Sequence, residues 1–185
     1  FDTTASLVQL SLTFSMVGLA VGQLVIGPLS DKYGRKKTLM ASLVLFCIST
    51  IGCLYASDIY VFIFFRLLQG LSGAGGVVIS KSIATDLYEG RELTRFFSML
   101  SSVQGIAPVC APVLGGVLLE VTDWKGIFWI LVLIGILLIM ALAFFKESLN
   151  NEQQHCGVFA TFRNYIPVFQ NAQFMRYVLV QAFAM

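Results

Sequence analysis

Five apolar runs decide what this chain can fold into. They cover about residues 6–29, 38–56, 59–84, 97–121 and 124–145 of 185. As helices rising 1.5 Å per residue, runs of this length cross the roughly 30 Å hydrocarbon core of a bilayer. A single soluble core cannot hide so many of them, and the charge content agrees. Hydrophobic residues make up 57% of the chain and charged ones 12%, about half the charge of a soluble domain. Backbone polar groups in lipid must be satisfied within their own segment, so helices are expected throughout. A further apolar run opens at Tyr177 and reaches Met185. The expected fold class is all-α, a polytopic transmembrane helix bundle in a multi-pass membrane protein.

Charge asymmetry orients the runs. Lys32, Arg35, Lys36, Lys37, Lys81, Arg91, Arg95, Lys146, Arg163 and Arg176 fall at one side, while the opposite turns, residues 56–58 and 120–125, offer only Lys125. Basic connections resist translocation, so the first side is expected to be cytoplasmic and the first run to pass from outside to inside. Tyr55, Tyr60, Trp124 and Trp129 flank the outer turns, where amphipathic rings favour the headgroup layer. The chain begins at Phe1 with no signal peptide before the first run and stops inside an apolar run. It therefore reads as an internal fragment of a longer membrane protein, with one earlier span before it.

Several function classes lose their support. A net charge of +2 is too small for a nucleic-acid partner. Cys47, Cys53, Cys110 and Cys156 lack metal-ligand spacing and read as free thiols, and the single histidine, His155, sits in a polar stretch without converging ligands. No metal and no cofactor is expected. An enzyme would need a nucleophile, metal ligands or a paired acid and base at depth, and none is visible.

The charged stretch of residues 27–37 carries the most specific pattern. Lys32, Arg35, Lys36 and Lys37 place four cations within six residues beside one carboxylate, Asp31. Pro28 and Gly34 are expected to break the helical pattern there, so that the chain turns in water between two spans. In the first span, Ser11, Ser15, Gly18 and Gly22 share one helical face, which lets a neighbouring backbone approach closely. Gln9 and Gln23 should face protein or water. The second span has little polar in its middle beyond Ser42, Ser49 and Thr50, and reads as a lipid-facing helix that says little about function.

The third span holds Arg66 about two turns from its outer end, followed by Gln69, Gly70, Gly73 and Gly76. A cation at that depth costs several kcal/mol against lipid, so it should face the bundle interior and find an anion or a wet cavity. The glycines remove bulk beside it, leaving room for a helix or a ligand. Asp86 leaves this span on the side of Arg35, and the two are expected to pair. The fourth span carries Ser101, Gln104, Pro108, Ala111 and Gly115 on one face, with Ser102, Gly105, Pro112 and Gly116 beside it. Two prolines four residues apart free backbone carbonyls and bend a helix, which suits an interior position. Every acid in residues 1–147 lies at the end of a span or in a connection. After Lys146, Phe159, Phe162, Tyr165, Ile166 and Phe169 recur at spacings consistent with a helix lying on the membrane surface.

These patterns carry a family resemblance. Gly27, Asp31, Lys32, Gly34, Arg35 and Lys36 fill every position of a motif that resembles the signature between the second and third helices of the major facilitator superfamily. Arg66, Gln69 and Gly70 resemble its fourth-helix signature. Ala107, Ala111, Pro112, Gly115 and Gly116 resemble the fifth-helix signature of its drug:proton antiporter branch, with alanines where that signature has glycines. The doubled Ala-Pro at residues 107–108 and 111–112, together with residues 124–129 and 174–177, is similar to bacterial bicyclomycin and chloramphenicol resistance transporters.

The resemblance implies helices two to six of a twelve-helix fold, the central linker and the start of helix seven. Residues 1–145 would be the N-terminal six-helix half lacking its first helix, 146–176 a cytoplasmic linker, and 177–185 the start of the C-terminal half. It further implies proton-coupled efflux of drugs or other small amphipathic molecules across the bacterial inner membrane by alternating access. The partners would be a small-molecule substrate, protons and the lipid bilayer, with the full-length protein monomeric. Arg66, Gln69 and Gln104 would serve proton coupling and the cavity. Gly27, Asp31, Gly34, Arg35, Lys36 and Asp86 would form the conformational switch, and Gly105, Pro108, Ala111, Pro112, Gly115 and Gly116 the antiporter-type helix. The proton-carrying acid would belong to the absent first helix. A metabolite symporter or facilitator of the same fold, or a non-transporting membrane sensor or scaffold, are the alternatives.

Overall fold

A computed structural model describes residues 5–144, with Arg176 alone beyond them. The surface-helix, linker and last-span expectations, with His155 and Cys156, lie outside those residues. Five helices follow one another: α1 Ala5–Tyr33, α2 Arg35–Tyr55, α3 Ile59–Leu87, α4 Gly90–Val121 and α5 Trp124–Ala143. All five are long and apolar enough to cross a membrane. They alternate in direction, so the end of α1, the start of α2, the ends of α3 and α5, and the start of α4 gather at one basic end.

The charged stretch is not the loop that its proline and glycine suggest. Residues 27–33 are the last two turns of α1, and Gly34 is the one residue between α1 and α2. Its φ of 95° lies where side chains are strained and glycine is not. Pro28 stays inside α1 and is fully buried. A ring without N–H is tolerated there because neighbouring helices enclose the turn. The two prolines of α4 likewise leave it one continuous helix of 32 residues.

Packing starts from glycine. α1 lies most extensively against α3, α2 rests on α3, and α5 on α2. At Gly18 and Gly22 of α1, an added Cβ would fall on the carbonyls of Leu67 and Leu71; at Gly70 of α3 it would fall on the carbonyl of Ser15. The two backbones are thus in direct contact along the face marked by Ser11, Gly18 and Gly22, all three of them buried. Of the helix or ligand for which Gly70 was expected to leave room, it is a helix, α1, that takes it, while nothing lies within 4 Å of a Cβ at Gly73 or Gly76 among the described residues. Below the seam, Ile26, Ala74 and Ile79 form a small apolar core, with Leu19, Leu39 and Ile83 against it.

The second span departs from its expectation on one face and fits it on the other. Ala41, Val44, Ile48, Ile51 and Tyr55 are exposed at helical spacing, as a lipid-facing stripe requires. Ser42, Ser49, Thr50 and Cys53 are buried, and Ser42 fills the gap left by Gly75 of α3. Their hydroxyls bond back to carbonyls one turn earlier: Ser42 to Thr38, Ser49 to Leu45 and Thr50 to Phe46. This satisfies them inside the bundle. At the end opposite the basic one, Phe62 of α3 meets Trp124 and Phe128 of α5 edge to face, with centroids 6.3 and 6.0 Å apart. α4 touches its neighbours sparsely and contributes no buried residue.

Candidate functional site

Two polar centres are built into this frame. The first is at the basic end, where Arg35 opens α2. Arg35 is almost fully enclosed, 7% exposed, and its guanidinium donates to acceptors on two neighbouring helices. Nη1 reaches Ser30 Oγ at 2.6 Å and Asp31 Oδ1 at 2.5 Å, and Nε reaches Asp86 Oδ2 at 3.0 Å. The helical continuation through residues 27–33 makes this possible, because it places Ser30 and Asp31 about one turn before Arg35 across Gly34. Ser30 is fully buried, and its own hydroxyl donates to the Gly27 carbonyl at 2.8 Å. One arginine therefore ties the end of α1, the start of α2 and the end of α3. Lys36 adds a fourth helix, donating from Nζ to the Ala143 carbonyl at 2.9 Å. That carbonyl ends α5, where a cation suits the helix dipole.

The second centre is at depth. Arg66 Nη1 donates to Gln69 Oε1 at 2.7 Å, and Gln69 Nε2 donates to Thr50 Oγ1 of α2 at 2.9 Å. Gln69 is 4% exposed and Thr50 fully enclosed. Arg66 is half-buried, and its Nε is enclosed without a hydrogen-bond partner. Nη1 is occupied, so the edge formed by Nε and Nη2 is left for a further acceptor. No ion pair to Arg66 occurs among the described residues. An enclosed donor of a charged group without an acceptor costs a few kcal/mol. The free Nε and Nη2 edge has the geometry to take a carboxylate side-on.

The predicted residues divide by location. Gly27, Asp31, Gly34, Arg35, Lys36 and Asp86 meet at the basic end, and Arg66 and Gln69 meet at depth. Gln104 is exposed on α4 and is not brought to Arg66. Gly105, Pro108, Ala111, Pro112 and Gly116 are exposed as well, Gly115 is half-exposed, and a Cβ at Gly105, Gly115 or Gly116 would meet nothing within 4 Å. Gln9, Gln23 and Met99 are also exposed. Sequence reasoning missed Ser30, Thr50 and the link from Lys36 to α5. For Thr50 a signal existed, since Ser42, Ser49, Thr50 and Cys53 share one face of α2. A cavity of about 520 Å³ lies among Arg91, Glu92, Thr94, Arg95 and Ser98 at the start of α4. All five are exposed there, unlike the polar groups gathered around Arg35 and Arg66.

Residues 1–184 match the family model of the Major Facilitator Superfamily. Across 98% of its length the chain is 39% identical to an MFS-type transporter, YdgK, of Bacillus subtilis, and covers 46% of that protein. It is 29% identical to a bicyclomycin resistance protein homolog of Haemophilus influenzae over 99% of the chain and 46% of that protein. Against the multidrug resistance protein MdtL of Escherichia coli the identity is 33% over 80% of the chain and 38% of that protein. The chain thus spans less than half the length of these relatives. With five helices able to span a membrane, the guanidinium clamp at the basic end and a match over nearly every residue, this chain belongs to the Major Facilitator Superfamily.

Proposed function

We propose that the chain contributes to proton-coupled efflux of drugs or other small amphipathic molecules across the bacterial inner membrane, by alternating access. The observation that carries this reading is the unmet Nε of Arg66, enclosed in an apolar span. A half-buried guanidinium with no anion beside it among the described residues fits a partner that comes and goes. A carboxylate from another helix of the bundle, held ionised by Arg66, would have its proton affinity lowered. Protonation or drug binding would release that pairing and shift the balance between inward-facing and outward-facing states. The names of the bicyclomycin and multidrug resistance relatives support the substrate class. In this reading the basic end is cytoplasmic. The Arg35 clamp stabilises one of the two states, and the exposed proline-glycine face of α4 lines the moving surface.

The test is efflux from proteoliposomes under an imposed pH gradient, with ethidium as a cationic and chloramphenicol as a neutral probe. Arg66→Ala, at matched expression, is expected to lower gradient-driven transport at least about tenfold, the worth of roughly 1.4 kcal/mol of lost coupling. Wild-type coupling in that variant removes Arg66 from the mechanism. Transport of both probes at rates independent of the gradient points instead to a facilitator of the same fold.

A further inference from the structure

We infer that Thr50 of α2 is a positioning residue for Arg66, acting through Gln69. Arginine can only donate, so the face of the Gln69 amide turned to Arg66 must be its oxygen. The amide nitrogen is then obliged to donate elsewhere, and Thr50 Oγ1 receives it at 2.9 Å. Thr50 can accept because its own hydrogen is committed to the Phe46 carbonyl at 2.6 Å. The result is a one-way chain, from Arg66 to Gln69 and Thr50 and into the backbone of α2. Donor and acceptor roles agree at every step along it.

Position follows from polarity. An amide is nearly symmetric in shape, and a flipped Gln69 would turn N–H groups toward a guanidinium. Thr50 removes that option by giving the nitrogen an enclosed acceptor, since a nitrogen left bare there would be unsatisfied. With Nη1 held at 2.7 Å from Gln69, the planar guanidinium keeps its Nε and Nη2 edge in one direction. The second span, which looks like inert lipid-facing helix in sequence, thereby sets the aim of the intramembrane cation. This inference rests on the proposed pairing of Arg66 with a carboxylate, and its test separates the two.

The experiment is an infrared titration of the protonated-carboxyl band in the intact transporter, which needs no substrate. Arg66→Ala is expected to move the midpoint of the facing acid upward by about one pH unit or more, since a nearby opposite charge lowers a carboxyl by roughly one to three units. Thr50→Val keeps the shape and removes the acceptor; it is expected to move the midpoint the same way by about half a unit to one unit, being a partial loss of the same effect. Thr50→Ser keeps the hydroxyl and should restore the wild-type midpoint. Gln69→Leu should match Thr50→Val, and the double variant should add nothing, as expected for two changes in one chain of contacts. Thr50→Ala, which removes the acceptor without adding bulk, replaces Thr50→Val if that variant does not fold. A shift in Arg66→Ala with wild-type midpoints in both Thr50→Val and Thr50→Ala overturns the role of Thr50 alone. Equal shifts in Thr50→Ser and Thr50→Val do the same, because packing would then explain both. No shift in Arg66→Ala overturns the ion-pair reading, and the inference with it.

Discussion

Replacing Gly70 by alanine tests the α1–α3 seam directly. The new methyl would be driven into the carbonyl of Ser15, with the amide nitrogen of Leu19 at 3.1 Å. Backbone atoms cannot rotate aside as a side chain can, so the two helices must separate or shift. Overpacking of this kind costs about 1–3 kcal/mol, and a backbone obstacle argues for the upper figure. Against it stands the intrinsic gain of alanine over glycine in a helix, about 1 kcal/mol. The net expectation is a loss of about 2 kcal/mol, or roughly thirtyfold in the folding equilibrium.

Two other glycines calibrate the result. At Gly52 the added Cβ meets the ring of half-buried Phe65 at 2.4–2.7 Å, which can turn away, so the cost should be smaller. At Gly73 nothing lies within 4 Å among the described residues, and the substitution should stabilise by the propensity term alone, about 1 kcal/mol. Unfolding in mixed micelles at increasing denaturing detergent, followed by tryptophan fluorescence, gives the three values on one scale. The predicted order is Gly73→Ala most stable, then Gly52→Ala, then Gly70→Ala. If Gly70→Ala were as stable as Gly73→Ala, the backbones of α1 and α3 could not be in contact, and the seam would be wrong.

Two further outcomes follow from the basic end. Asp86→Asn keeps an acceptor for Arg35 but removes its charge, which should weaken the clamp by about 1–2 kcal/mol, the difference between a charge-assisted and a neutral bond. It should raise thiol labelling of a single cysteine placed at the end of α3 several-fold, and unchanged labelling would show that the clamp does not hold that end closed. Gly34→Ala puts a side chain at a φ of 95°, at a cost of about 1–3 kcal/mol. With ψ at 150° this is the extended positive-φ region open only to glycine, so the loss should appear as a lower unfolding midpoint that Gly34→Asn shares rather than recovers.

How far the sequence could be read depended on which physical signal a residue carried. Length and hydropathy located all five helices, because lipid leaves the backbone so few alternatives. The pairing of Arg35 with Asp86 was also legible, since both are charges at the foot of apolar spans and both emerge on one side. Gly34 does break the helix as its residue type suggests, but Pro28 does not, because propensities learned from water-exposed helices underrate what an enclosing bundle tolerates. The link from Thr50 to Gln69 was hidden for a different reason. A hydroxyl that bonds to its own helix carries almost no hydropathy signal, and its partner Gln69 is 19 residues away. For α4 the sequence suggested an interior helix from its prolines and glycines, whereas among the described residues that face meets no neighbour.

The brevity of the turn at Gly34 has a mechanical consequence. With a single residue joining them, α1 and α2 cannot swing independently; tilting either one drags the other, as two arms of one bracket. With α1 also seamed to α3 by backbone contact, any rocking movement must be taken up elsewhere, along the loosely held fourth helix. The bracket would then travel as a rigid piece, bearing the Arg35 clamp at its apex and the Thr50 prop partway up one arm.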